Sequence, residues 1–384
     1  MPFKLTGANN DRYFIIPMNN TNIYQLAVTG VQKLIPYKAG KPIEELEREL
    51  GLTQIIKLAS NENPLGPGKQ AIAAIQKALP ELALYPDGSG FHLKQALATK
   101  YALDASQITL GNGSNELLEL VARAFLIPEL EVVFSQHAFA VYPLVTQAVG
   151  ATAVVVPAKE YGHDLAGMAQ AVTAKTRLVF IANPNNPTGT LLAQAELEQF
   201  IGALPDTVIC VLDEAYFEFV SQSAAINSID WLKKFPNLII TRTFSKAYGL
   251  AGLRVGYSLS CPEIADILNR VRQPFNNNSL ALAAAEAALA DEEHLHNTIS
   301  NNRLGMQQLT DGFKALGLPW IPSAGNFVSV DVKREGMPVY EALLRKGVIV
   351  RPVANYEMPG FLRISIGTPA ENTLFLQALS EVLD

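Results

Sequence analysis

Four short segments of this chain gather residue types that can bind an anion or handle protons. The first is Gly111-Asn112-Gly113-Ser114-Asn115-Glu116, which follows the apolar Ile108-Thr109-Leu110 and opens a helical run. Glycines permit a tight turn, and the free N–H groups and positive dipole end of a helix start suit a phosphate. The dinucleotide-binding fingerprint is absent: its third glycine is missing, and no acidic residue ends the next strand in the right place. The other three are Asn183-Pro184-Asn185-Asn186-Pro187-Thr188-Gly189, Asp213-Glu214-Ala215-Tyr216, and Thr243-Phe244-Ser245-Lys246 followed by Gly249, Gly252, Arg254 and Gly256. Singly, each has an ordinary explanation as an Asn-Pro turn, a helix cap or an exposed lysine. Together they follow apolar runs of one predicted sheet, at the carboxyl ends of parallel strands, where open α/β sheets bind ligands.

The elements that must position these segments alternate from about residue 69. Runs 107–110, 131–135, 152–156, 177–182, 207–213 and 238–243 are apolar and β-rich, and stretches such as 69–79, 115–126 and 191–204 read as helices. Nearly continuous apolar strands between helices predict an α/β unit with a parallel sheet covered on both faces. After about Pro274 the texture changes to helices at 279–289 and 292–316, then short strands at 326–331, 348–351 and 361–365. This predicts a smaller α+β domain. The expected division is a poorly ordered polar tail over 1–22, a segment packing with the small domain over 23–68, a large domain over 69–275 and a small domain over 276–384.

The chain has 384 residues, 49% hydrophobic and 17% charged, with a formal net charge of −6. Such a composition suits a large buried core and excludes a disordered or nucleic-acid-binding chain. Cys210 and Cys261 are the two cysteines, which rules out a disulfide framework or a zinc cluster. His294 and His296 stand two apart in a predicted helix and share no face, so no metal is expected. With no signal peptide and no apolar run of membrane length, the expected location is the cytoplasm.

In this order, the segments resemble the fold-type I pyridoxal-phosphate aminotransferases, over nearly the whole chain from Tyr37. Asn-Pro-Thr-Gly, Asp-Glu-Ala-Tyr and Ser-Lys with Arg254 eight residues on are specific to that superfamily. More narrowly, Leu58-Ala59-Ser60-Asn61-Glu62-Asn63-Pro64, Tyr85-Pro86-Asp87, Gly111–Glu116, His137-Ala138-Phe139-Ala140-Val141-Tyr142 and Phe361-Leu362-Arg363-Ile364 resemble the histidinol-phosphate aminotransferase branch.

The resemblance implies a large domain with a mostly parallel seven-stranded sheet flanked by helices, a smaller α+β domain, and pyridoxal 5′-phosphate as cofactor. It implies that Lys246 bonds to the cofactor aldehyde and then moves the substrate proton, and that Asp213 keeps the pyridine nitrogen protonated. Asn186 and Tyr216 are expected on the ring hydroxyl oxygen, and Phe139 on the ring face with Tyr142 as the alternative. The phosphate falls to Gly113, Ser114, Asn115, Thr243, Ser245 and Arg254. Many family members carry Asp where this chain has Asn115, which weakens any role of that side chain. Tyr85 is expected to reach the phosphate of the other subunit in a homodimer with shared sites. Tyr37, Asn63, Arg351 and Arg363 match substrate-contacting positions. The implied reaction is amino transfer between histidinol phosphate and 2-oxoglutarate in histidine biosynthesis. Transfer from aromatic or a broad range of amino acids, and phospho-amino-acid decarboxylation in cobalamin biosynthesis, stay open as alternatives. A regulatory module without turnover would need an attached DNA-binding domain and a basic patch, which this chain lacks.

Overall fold

The computed structural model describes residues 22–36 and 40–384. The expected tail, save Asn22, and Tyr37 lie outside the described residues.

After β1 (Ile56–Lys57) the chain lays down β2 (Ile108–Gly111), β3 (Glu131–Ser135), β4 (Thr152–Val156), β5 (Thr176–Ala182), β6 (Ile209–Asp213), β7 (Leu238–Thr243) and β8 (Gly256–Leu259). These last seven form one sheet in the order β2-β8-β7-β6-β5-β3-β4. Neighbours from β7 through β4 are parallel, and β8 runs antiparallel to β7 and β2.

The central strands are apolar throughout because both faces are covered. Successive side chains point to opposite faces. Thus Leu178, Phe180, Val211 and Ile239 join one core, beneath the helices Ser114–Phe125, Val141–Ala148 and Pro262–Val271. Val179, Ile181, Cys210, Leu212, Leu238 and Ile240 join the other, beneath Lys69–Ala78, Phe91–Tyr101 and Gln194–Ala203.

The smaller unit contains β9 (Trp320–Ile321), β10 (Phe327–Asp331), β11 (Val348–Ile349), β12 (Arg351–Pro352) and β13 (Phe361–Ser365). Four of these form an antiparallel sheet in the order β12-β13-β10-β9, while β11 pairs in parallel with β1. The long helix Glu292–Ala315 and the C-terminal Pro369–Leu383 bury Leu309, Phe313, Phe375 and Leu379 against it.

Four expectations need correction. The Ala-rich helix Ser279–Ala290, expected to open the small domain, packs on Lys69–Ala78 and buries Ala281, Ala284, Ala285 and Ala288 in the large domain's core. Small side chains allow that close helix–helix approach, so the change of texture precedes the change of core. The segment 23–68 is divided: Leu46 and Ala59 pack with Ile349 of the small domain, but the turn Thr29–Gln32 lies against Val141–Ala148 of the large one. The expected strand 348–351 is two short strands that break at Val350. Strand β8, absent from the runs read as strands, completes the large sheet.

Candidate active site

The carboxyl ends of β5, β6 and β7 face a cavity of about 280 Å³. At one end, β2 runs into Gly113, whose φ of 76° is the left-handed conformation that favours glycine. A Cβ there would meet Arg254 Nη2 at 2.4 Å, so the absence of a side chain lets the guanidinium close over the turn. The helix Ser114–Phe125 begins with no side-chain cap, leaving its first N–H groups free. Arg254 Nη1 donates to Ser245 Oγ at 3.3 Å and to Ala251 O at 3.2 Å. Ser114, Asn115, Thr243, Ser245 and Arg254 all line the cavity, forming a donor-rich cup suited to a phosphate.

The loop joining β7 to β8 carries both Lys246 and Arg254. Its two ends are held by neighbouring antiparallel strands, and Phe244 N–H donates to Val255 O at 3.1 Å. Lys246 Nζ donates to Ser60 O at 3.0 Å. Burial, helped by the nearby positive charge of Arg363, pulls its amine down to about 7.

Asp213 ends β6 and is buried. Burial pushes its carboxyl up to about 6, opposed by the Tyr142 hydroxyl, which donates to Oδ2 at 2.9 Å. Its Oδ1 makes no hydrogen bond among the described residues. A buried carboxylate oxygen without a donor is costly, so a cationic N–H entering the cavity would complete it. On the far face of the same strand ends, Arg242 Nη2 pairs with Glu214 Oε2 at 2.7 Å and its guanidinium lies 3.8 Å from the Phe217 ring centre. That pair ties β6 to β7 beneath the site.

Tyr216 Oη accepts from Asn61 Nδ2 at 2.9 Å and from Asn186 Nδ2 at 3.1 Å. Arg363 donates from Nη1 to Asn186 Oδ1 and from Nη2 to Ala59 O, each at 2.6 Å. Arg351 stands directly opposite Arg363 in the β12–β13 register, and both line the cavity.

The structure thus brings together Ser114, Asn115, Phe139, Asn186, Asp213, Tyr216, Thr243, Ser245, Lys246, Arg254, Arg351 and Arg363, with Gly113 beside them. Of the two aromatic candidates, Phe139 faces the cavity. Tyr142 is fully buried behind it, stacked on Phe180 at 4.7 Å. Asn63 stands apart from the other matched positions: its Nδ2 donates to Ala247 O and Thr298 Oγ1, and it does not line the cavity. Asn61, two residues earlier, does, as do Ser60 and Gly40. The signal for Asn61 lay in the same quoted segment, but irregular backbone offers no periodicity to say which asparagine turns inward. Tyr85 is 83% exposed, stacked on Phe275 away from its own chain's cavity.

A family model described as Aminotransferase class I and II matches residues 53–379. The chain is 61% identical to histidinol-phosphate aminotransferase 2 of Pseudomonas fluorescens strain Pf0-1, over 94% of this chain and 98% of that protein. It is 60% identical to the Pseudomonas aeruginosa protein of the same name, over 93% and 98%. Among solved structures, histidinol-phosphate aminotransferase from Sinorhizobium meliloti in complex with pyridoxal-5′-phosphate superposes with a TM-score of 0.86 at 32% identity, covering 93% of this chain and 97% of that one. A Thermus thermophilus aspartate aminotransferase double mutant, at 23% identity and a TM-score of 0.81 over 92% and 98%, shares the fold. The chain belongs to the class I and II aminotransferases and, within them, to the histidinol-phosphate aminotransferase family.

Proposed function

We propose that this chain transfers an amino group reversibly between L-histidinol phosphate and 2-oxoglutarate, with pyridoxal 5′-phosphate as cofactor, as a step of histidine biosynthesis. The residues present fit that cofactor. The glycine-walled cup with Arg254 suits its phosphate, the unpartnered Asp213 Oδ1 suits a pyridinium N–H, and the buried Lys246 amine is drawn toward neutrality. The cofactor, when bound, supplies an aldehyde that takes up amines and a cationic ring that accepts electron density.

Lys246 would hold the cofactor through its amine and would serve as the base that moves the proton at the substrate carbon. Asp213 holds the ring nitrogen protonated. Tyr216 and Asn186 bind the ring hydroxyl oxygen, and Phe139 packs on the ring face. Gly113, Ser114, Asn115, Thr243, Ser245 and Arg254 hold the phosphate through main-chain and side-chain donors.

The observation that carries the substrate is the pairing of Arg351 with Arg363. Residues directly opposite in an antiparallel pair project from the same face, so the two guanidinium forks open into one cavity. A phosphate dianion suits two such forks. The same pair serves the carboxylates of 2-oxoglutarate and glutamate. The alternative reaction on aromatic amino acids has less use for Arg351.

The exposed Leu82, Leu84, Tyr85, Phe91 and Phe275 support a homodimer that buries this surface. In that assembly Tyr85 serves the phosphate of the neighbouring subunit, and the enzyme works in the cytoplasm. We divide the chain into a large cofactor-binding unit that runs through Ala290 and a small unit that follows.

The test is a half-reaction screen. Purified holoenzyme is mixed with histidinol phosphate, phenylalanine, tyrosine or glutamate, and conversion to the amine form of the cofactor is followed by absorbance. Histidinol phosphate and glutamate are expected to react. Faster reaction with phenylalanine or tyrosine than with histidinol phosphate would hand the assignment to the aromatic alternative.

A further inference from the structure

Tyr216 Oη is a phenol oxygen with two acceptor positions and one proton to give. Both acceptor positions are filled, by Asn61 Nδ2 at 2.9 Å and Asn186 Nδ2 at 3.1 Å. The Asn186 amide cannot be turned round. Asn186 Oδ1 receives Arg363 Nη1, and a guanidinium has no acceptor, so Nδ2 must face the phenol. Asn61 Oδ1 receives the Ser365 hydroxyl at 3.2 Å, while Ser365 Oγ accepts the Asn61 backbone N–H at 2.8 Å. In this arrangement Asn61 Nδ2 is left to donate to Tyr216.

The backbone of Asn61 is built for the task. It is 1% exposed, and its φ of 54° is a left-handed conformation that asparagine tolerates better than most residues. Asn326 Nδ2 fastens its carbonyl at 3.0 Å. Ser365 and Asn326 belong to the small domain, whereas Tyr216 belongs to the large one. Asn61 therefore connects the small-domain framework to a phenol on the cavity wall.

Resting on the cofactor reading above, we propose that Asn61 is a positioning residue: by filling an acceptor position of Tyr216 Oη from behind, it leaves the phenol proton only one direction, into the cavity and onto the ring oxygen of bound cofactor. An N–H donated to the phenol oxygen also polarises its O–H, so the outgoing hydrogen bond is strengthened. Asn186 sits on the substrate side with Arg363 and is free to change partner when cofactor enters. Asn61, held at its N–H, its carbonyl and its Oδ1, is not.

The test uses holoenzyme and reads the pH midpoint of the absorption band of the Lys246–cofactor linkage. A hydrogen bond onto the ring oxygen lowers that midpoint, because it stabilises the oxygen's negative charge and so weakens the oxygen's hold on the linkage proton. Asn61→Gly removes the amide and keeps the left-handed backbone. It is expected to raise the midpoint by about half a unit to one unit, the size of one ordinary hydrogen bond. Asn61→Asp replaces the donor with an acceptor that draws the phenol proton backwards, and is expected to raise it further, close to the value for Tyr216→Phe. In a Tyr216→Phe background, Asn61→Gly should cause no further shift, because the residue acts through that hydroxyl. Arg351, Arg363, Arg254 and Asp213, charged groups facing the same site, are unchanged in every variant. If Asn61→Asp does not fold, the glycine variant and its double mutant carry the test. An unmoved midpoint in Asn61→Gly, or a shift that persists without the Tyr216 hydroxyl, overturns the proposal while leaving the cofactor reading intact. Wild-type protein without any Lys246-dependent band overturns both.

Discussion

The hydroxyl of Tyr142 donates to Asp213 Oδ2 at 2.9 Å from the layer behind the cavity, while Asp213 Oδ1 is left for whatever enters. Tyr142 lies flat on Phe180, with 5° between the rings, so the donor is held rigidly. This hydrogen bond opposes the burial that drives the carboxyl up to about 6. Tyr142→Phe removes it, and the carboxyl should then protonate at higher pH. Activity that needs the ionised form would be lost earlier on acidification. The acid limb of kcat/KM is expected to move up by about one unit, with kcat near neutrality reduced about tenfold, the effect of one charge-assisted hydrogen bond. Coincident pH profiles for variant and wild type would remove Tyr142 from this role.

Lys246→Ala should abolish turnover while leaving the fold intact, and borohydride reduction of wild type should tag a single peptide containing Lys246. The amine's value near 7 adds a kinetic prediction. Only the unprotonated amine attacks an aldehyde, so capture of pyridoxal phosphate by cofactor-free protein should slow as pH falls through about 7 and level off above it. Stopped-flow absorbance measures this directly. A tag on another lysine would displace the assignment.

Arg351→Gln should lower kcat/KM for histidinol phosphate about ten- to a hundredfold, with a smaller loss for glutamate, since a dianion uses the second guanidinium more than a carboxylate does. Wild type should prefer histidinol phosphate strongly over unphosphorylated histidinol, and the variant much less. Arg363, which also grips Asn186 and Ala59 O, should matter for both substrates. Equal losses for both substrates in Arg351→Gln would return Arg351 to a general electrostatic role.

On the proposed shared-site dimer, Tyr85→Phe and Lys246→Ala should each be poor enzymes alone. Mixed subunits should regain activity, because one of their two sites would hold the native tyrosine and the native lysine together. Verified heterodimers that stay inactive would place Tyr85 in its own chain's site.

The sheet was legible where strands are apolar without interruption. Val132, Val133 and Phe134, or Leu238, Ile239 and Ile240, are written for burial on both faces, and the segments that follow them had to lie at one edge. Strand β8 was not legible, because Gly-Tyr-Ser-Leu is short and continues a glycine-rich loop; pairing with both β2 and β7 makes it a strand. The alanines of Ser279–Ala290 announce a helix but do not say which core receives them. Within the site, residue types were readable and directions were not. Phe139 and Tyr142 are three apart, and Asn61 and Asn63 two apart, and only backbone geometry decides which member of each pair faces the cavity. Tyr85 is the converse case, a chemically expressive residue that stacks on Phe275 and does not line the cavity of its own chain.

The closed loop between β7 and β8 has a consequence for what change this protein tolerates. Amine and guanidinium are two jaws mounted on one frame, and the strand pair that shuts the frame also fixes the gap between them. The gap is set within this one loop and its two strands. Adding or deleting a residue between Phe244 and Val255 would alter it, by putting lysine and arginine out of register with a cofactor of fixed length. The loop is a gauge, and its calibration is its residue count.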